Sequence, residues 1–127
     1  MKIFSKQWLV FFAALLLSWS VFAKGPLAAD GAIADVQLGS LPAEASQTLA
    51  LIKQGGPYPY AKDGAVFGNY EGVLPRQKRG YYHEFTVKTP KARNRGARRI
   101  IAGGNPQTSG EYYYTKDHYR SFARIRE

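Results

Sequence analysis

Tyr81-Tyr82-His83-Glu84-Phe85-Thr86-Val87 is the stretch on which the fold turns. Apart from a His-Glu pair, it is built of aromatic and β-branched side chains, which suit a pleated strand better than a helix. Alternation divides it into two faces, Phe85 and Val87 on one, Tyr82, Glu84 and Thr86 on the other.

Further strands are expected downstream at residues 98–102, 111–115 and 121–125, where apolar or aromatic runs alternate with arginine and serine. Turn-rich stretches at 90–96 and 103–110 connect them. Parity puts Ile100 with Phe85 and Val87, and Arg99 beside Glu84. Upstream, Ala45, Leu49 and Ile52 follow helical spacing between Pro42 and Gly55-Gly56, which predicts one amphipathic helix ending at Gln54. Residues 56–80 are crowded with Gly, Pro, Asp and Asn and read as loop, with a short strand or turn around residues 66–71. The sum is an α+β fold, one main N-terminal helix packed on a twisted antiparallel sheet whose other face is open to ligand.

The 127 residues support a single compact domain. A net charge of +9 and a pI near 9.9 favour a polyanionic partner, nucleic acid or an anionic membrane surface. Without cysteine there is no disulfide framework and no thiolate metal site, and two histidines make a zinc site implausible. No metal or cofactor is expected.

Lys2 and Lys6 precede an apolar run from Trp8 that extends to Val21-Phe22-Ala23, the pattern of a secretory signal over residues 1–23. An uncleaved membrane anchor is the alternative, disfavoured because the run is short for a span. Cleavage after Ala23 removes two lysines and no acid, lowering the charge from +9 to +7; Ala29 and Ala34 are alternative cleavage points. Residues 24–38 read as a propeptide or flexible N-terminal arm, and 39–127 as the functional domain. The expected product is secreted, extracellular or periplasmic, monomeric, and without stable membrane association.

Four ionisable side chains in the C-terminal half carry the chemical reading: Glu84, Arg95, Arg99 and His118. A carboxylate, a histidine and two arginines can take a proton from a sugar hydroxyl, return one to a leaving oxygen and neutralise a phosphodiester between them. Glu84 beside Arg99 would start as the carboxylate that a general base requires.

The chain from about residue 39 to 127 resembles the guanyl-specific microbial ribonucleases, the barnase-like group. The resemblance rests on Asp63-Gly64, Phe67-Gly68-Asn69-Tyr70-Glu71 followed by Leu74-Pro75, Tyr81 to Val87, Arg93-Asn94-Arg95-Gly96-Ala97-Arg98-Arg99-Ile100-Ile101, and Asp117-His118-Tyr119-Arg120-Ser121-Phe122, in that order. It implies an endoribonuclease acting on single-stranded RNA through a 2′,3′-cyclic phosphate, with Glu84 as general base and His118 as general acid. It further implies Arg95 and Arg99 on the phosphate, Tyr119 donating to it, and guanine held by Glu71, by backbone amides around Asn69 and Tyr70, and by stacking on Phe67. Tyr70 departs from the pattern, standing where an arginine is common. The resemblance also implies a barstar-like cytoplasmic inhibitor as partner.

Taken singly, these residues have plainer readings. Glu84 is a strand carboxylate paired with Arg99, His118 a surface histidine, and His83 a structural residue on the face away from Glu84. Arg93, Arg98, Arg120, Arg124 and Arg126 read as a solvated basic surface, and Tyr112, Tyr113 and Tyr114 as strand and core residues. The competing function is a non-enzymatic exported basic RNA-binding module, for which charge matters and Glu84 does not.

Overall fold

The structure is a computed structural model that describes residues 33–127. The expected signal at 1–23 and most of the expected arm lie outside the described residues. Eight elements follow in order: strand β1 (Asp35–Gln37), a 3-10 turn (Leu38–Ser40), helix α1 (Ala43–Gln54), and strands β2 (Val66–Phe67), β3 (Tyr82–Thr86), β4 (Arg99–Gly103), β5 (Tyr112–Thr115) and β6 (Ala123–Arg126).

Helix α1 begins and stops where its sequence says. Pro42 is extended and its carbonyl accepts from Ala45 N–H at 2.9 Å. Gly55 turns left-handed at φ 85°, so that its N–H and that of Gly56 return to Leu51 and Ile52 carbonyls. A β-carbon at such φ is costly, which is why glycine ends the helix. The inward stripe of Ala45, Leu49 and Ile52 is at most 2% exposed. It packs on Phe85, Val87, Ile100, Ala102, Tyr112, Tyr114 and Ile125, which come from four strands or their ends. Each buried Leu or Ile contributes about 2 kcal/mol by removing apolar surface from water.

The six strands form one sheet in the order β1-β6-β5-β4-β3-β2. The pairings among β2 to β6 are antiparallel, as expected, but β1 joins β6 in parallel, with Asp35 opposite Arg124. The α+β fold expected from sequence holds, with a sheet that is antiparallel except at this edge. Residues 35–37, read from sequence as part of a propeptide or flexible arm, form its first strand. Three residues are too few for period 2 to show against the Ala- and Gly-rich stretch before them.

The face away from α1 is also less open than expected. Tyr82, Ile101, Tyr113 and Leu74 form a second buried cluster there, joined by Phe67, Tyr81, Tyr119 and Phe122. Tyr82, read as ligand-facing, is 2% exposed, and its hydroxyl donates to the Pro75 carbonyl at 2.5 Å. Long aromatic side chains fold the 67–75 loop down onto the sheet, leaving the part around Glu84 for a site.

Candidate active site

Glu84 is the middle residue of β3, and its backbone is fastened on the edge side by the Asp63-Gly64 turn. Gly64 N–H donates to the Glu84 carbonyl at 2.7 Å, and Glu84 N–H to the Ala65 carbonyl at 2.8 Å. Asp63 Oδ1 accepts from Thr86 N–H at 2.8 Å. The turn thus holds the strand segment that carries the carboxylate.

The side chain of Glu84 is gripped from both sides. Arg95 Nη2 donates to Oε1 at 3.0 Å, and the Tyr119 hydroxyl donates to Oε2 at 3.0 Å. Arg95 is aimed by Thr86, whose Oγ1 accepts from Nε at 3.1 Å and from Nη2 at 3.0 Å. Glu84 and Thr86 share a face by strand parity, so the guanidinium spans both.

Here the expected partner is corrected. The arginine paired with Glu84 is Arg95, arriving from the 90–98 turn, not Arg99. Register explains it: Arg99 lies opposite Thr86, whereas Ile101 lies opposite Glu84. Arg99 does share the Glu84 face, but it is 2% exposed and its Nη1 donates to the Gly96 and Arg98 carbonyls at 3.0 and 2.7 Å. Its Nε is buried with no partner among the described residues. Arg99 also bears on Tyr119, whose phenol is raised above its ordinary value chiefly by burial and then by Glu84, with Arg99 opposing.

His118 and Tyr119 both occupy the left-handed region, at φ 57° and 75°. Such conformations cost on the order of 1–3 kcal/mol each for non-glycine residues and persist where the surroundings impose them. Thr115 and Asp117 impose this one. Thr115 Oγ1 accepts from Tyr119 N–H at 3.1 Å and donates to Asp117 Oδ1 at 2.9 Å. Asp117 accepts from Ser121 N–H at 3.0 Å and Ser121 Oγ at 2.6 Å. These Ser121 bonds hold the Asp117 carboxyl down at about 2. His118 N–H donates to the Ala97 carbonyl at 2.9 Å, tying this loop to the arginine-bearing one. The His118 ring stands exposed, 4.7 Å centre to centre from Tyr119.

Beside these groups opens a cavity of about 310 Å³ lined by Phe67, Asn69, Tyr70 and Glu71 on one wall and by His118 and Tyr119 on the other. Phe67 is fixed by packing on Tyr119 at 4.9 Å and on Phe122 at 6.0 Å. Asn69, at φ 53°, closes its own loop: Nδ2 donates to the Leu74 carbonyl at 3.0 Å and Oδ1 accepts from Leu74 N–H at 3.2 Å. The Asn69 side chain thus shapes the loop. Glu71 is exposed at the mouth.

All nine expected site residues fall on this one region, and His83 has the opposite parity, opposite Ala102. The supporting residues Thr86, Asp117 and Thr115 were not singled out from sequence. The Thr-x-Asp and Asp-x-x-x-Ser spacings of 115–121 are the signal that could have found the last two.

Helix, sheet and cavity together have the architecture of the small α+β microbial ribonucleases, and comparison with known proteins agrees. The sequence pattern of the ribonuclease family matches residues 27–126. Guanyl-specific ribonuclease St of Saccharopolyspora erythraea is 58% identical over 87 residues, which is 68% of this chain and 82% of that protein. Guanyl-specific ribonuclease Sa of Kitasatospora aureofaciens is 57% identical over 90 residues, 71% and 91% of the respective lengths. The crystal structure of ribonuclease Sa2 with guanosine-2′-cyclophosphate superposes with a TM-score of 0.68 at 50% identity, covering 75% of this chain and 97% of that one. The chain belongs to the guanyl-specific microbial ribonuclease family.

Proposed function

We propose that this protein is an exported guanyl-specific endoribonuclease that cleaves single-stranded RNA 3′ to guanosine. The observation that carries the residue assignment is the Glu84 carboxylate, gripped by Arg95 and Tyr119 at 3.0 Å each, beside a base-sized cavity rimmed by His118 and Glu71. The names of its relatives and the guanosine cyclophosphate bound in ribonuclease Sa2 support guanine specificity and the cyclic product.

Glu71 at the mouth accepts from guanine N1–H and the N2 amino group, an edge that adenine does not offer. The N–H groups of Asn69, Tyr70 and Glu71 donate to no acceptor among the described residues, which leaves them to O6 and N7. Phe67, immobilised by Tyr119 and Phe122, offers the ring on which the base stacks.

With guanine placed, Glu84 takes the 2′-OH proton and the 2′ oxygen attacks phosphorus. His118 protonates the departing 5′ oxygen, leaving a 2′,3′-cyclic phosphate. Water then adds with the roles reversed, and a 3′-phosphate results. Arg95 and Arg99 face the charge that grows on the non-bridging oxygens. Arg99 is suited to this because its buried Nε has no acceptor among the described residues to give up. Tyr119 exchanges its bond to Glu84 for one to the phosphate.

The reading extends to location and control: a secreted monomer, restrained in the producing cell by a barstar-like inhibitor. The signal-like start of the chain supports export.

The test is cleavage of short single-stranded RNAs that differ in one central base, by the purified domain and by Glu84→Gln, at one salt concentration. Cleavage after guanosine alone, ending in a cyclic phosphate and reduced about 10²–10⁴-fold in the variant, is the expected result. Salt-sensitive binding without cleavage, indifferent to Glu84, would leave a basic RNA-binding module instead.

A further inference from the structure

A second cavity lies across the 67–72 loop from the one assigned to guanine. It measures about 540 Å³ against about 310 Å³, and its outer wall is Arg76, Gln77, Lys78 and Arg79. Phe67, Asn69, Tyr70 and Glu71 line both cavities, so the loop is a partition between them. Three cations against the single acid Glu71 make this groove strongly positive, although none of the three is needed by the reaction described above.

Tyr70 stands on that partition and is 86% exposed. It is nevertheless held in place. A β-carbon on Gly68 would come within 2.4 Å of the Tyr70 ring, so the ring lies against the Gly68 backbone. Arg79 Nη1 donates to the Tyr70 hydroxyl at 2.9 Å. An aromatic ring that is both fixed and open to solvent is a platform for a stacked base, with less side-chain entropy left to lose.

Chain direction selects the nucleotide. The phosphate 3′ to the bound guanosine has to reach Glu84, Arg95 and His118, which border the first cavity through His118 and Tyr119. None of these lines the second cavity. A strand that crosses the partition therefore leaves by its 5′ end.

We propose that this groove is a subsite for the nucleotide on the 5′ side of the target guanosine, its base stacked on Tyr70 and its linking phosphate held by Arg76, Lys78 and Arg79. The subsite rests on guanosine occupying the first cavity. It tolerates any base, since stacking and phosphate contact do not read base edges.

The experiment compares kcat/KM on GpC, pGpC, ApGpC and UpGpC for the purified protein and for the double variant R76Q/K78Q, whose positions are exposed and outside the catalytic groups. On the unaltered protein, ApGpC and UpGpC should exceed GpC by roughly tenfold, mostly in KM, with pGpC between them and the gain shrinking as salt rises. The double variant should keep the GpC rate and lose most of that gain. Equal values for GpC and ApGpC, or a gain that survives R76Q/K78Q, overturns the subsite. Failure to cleave GpC and the trinucleotides alike overturns the guanosine reading and the subsite with it.

Discussion

The Tyr119 hydroxyl donates to Glu84 Oε2 at 3.0 Å, on the opposite side of the carboxylate from Arg95. A residue held in a left-handed backbone conformation thus links the loop of the proposed acid to the proposed base. Tyr119→Phe deletes this bond and keeps the ring that packs on Phe67. The expected outcome is a fall in kcat of about tenfold, the worth of one bond felt in the transition state, with little change in KM. Steady-state rates on GpC measure it.

Thr86 aims Arg95 through its hydroxyl oxygen. Thr86→Val is nearly the same size and removes both acceptor contacts at 3.0 and 3.1 Å, while the Thr48 hydroxyl still finds the Thr86 backbone carbonyl. Stability should drop by about 1 kcal/mol. Activity should fall further than that change in folding explains. Urea midpoints beside kcat separate the two effects.

Acid exposes the part played by Asp117. Its carboxyl sits at about 2 in the fold because of the Ser121 bonds, against an ordinary 3.8. A folded value below the unfolded one means that the contribution to stability is fully present above the unfolded value and is lost as pH falls from there through about 2. Melting temperatures from about pH 6 to pH 1.5 should therefore decline less steeply in Asp117→Asn, which also starts lower at neutral pH.

Arg99 sets the site against the fold. It is a cation at 2% exposure with a buried Nε that no protein group accepts from, and it takes part in no ion pair among the described residues. Buried ionic groups are often replaced by apolar ones at no loss or at a gain of about 1–4 kcal/mol. Arg99→Met should accordingly melt no lower than the natural protein while RNA cleavage falls by about 10² or more. Calorimetry and a cleavage assay on one preparation decide this.

Long periodic segments were readable in advance. The α1 boundaries follow from Pro42 and Gly55, and strands β3 to β6 from runs of aromatic and β-branched residues, because those signals are local. Contacts set by register were not. Whether Arg95 or Arg99 meets Glu84 depends on how the 90–98 turn folds back, and no spacing in the sequence encodes that. Tyr82 looked ligand-facing by parity, and parity was right about its face. What sequence could not show is that Leu74 and Pro75 come down over that face from a loop. Strand β1 escaped notice because its partner, β6, lies at the far end of the described chain.

That parallel pairing bears on the order of assembly. Asp35 to Gln37 can dock only after Arg124 to Arg126 are in place, and joining them closes a loop that contains every other element of the sheet. Such a closure is among the costliest in chain entropy and is rewarded by three residues of ladder, the half-buried Val36 side chain packed on the core, the ion pair of Arg126 with Asp35, and the bond from Arg124 N–H to the Ala34 carbonyl. The first strand in the described sequence should therefore be the last to join the sheet and the first to leave it. Its amides should exchange with solvent ahead of those in β3 and β4, through an opening that leaves the Glu84 site intact.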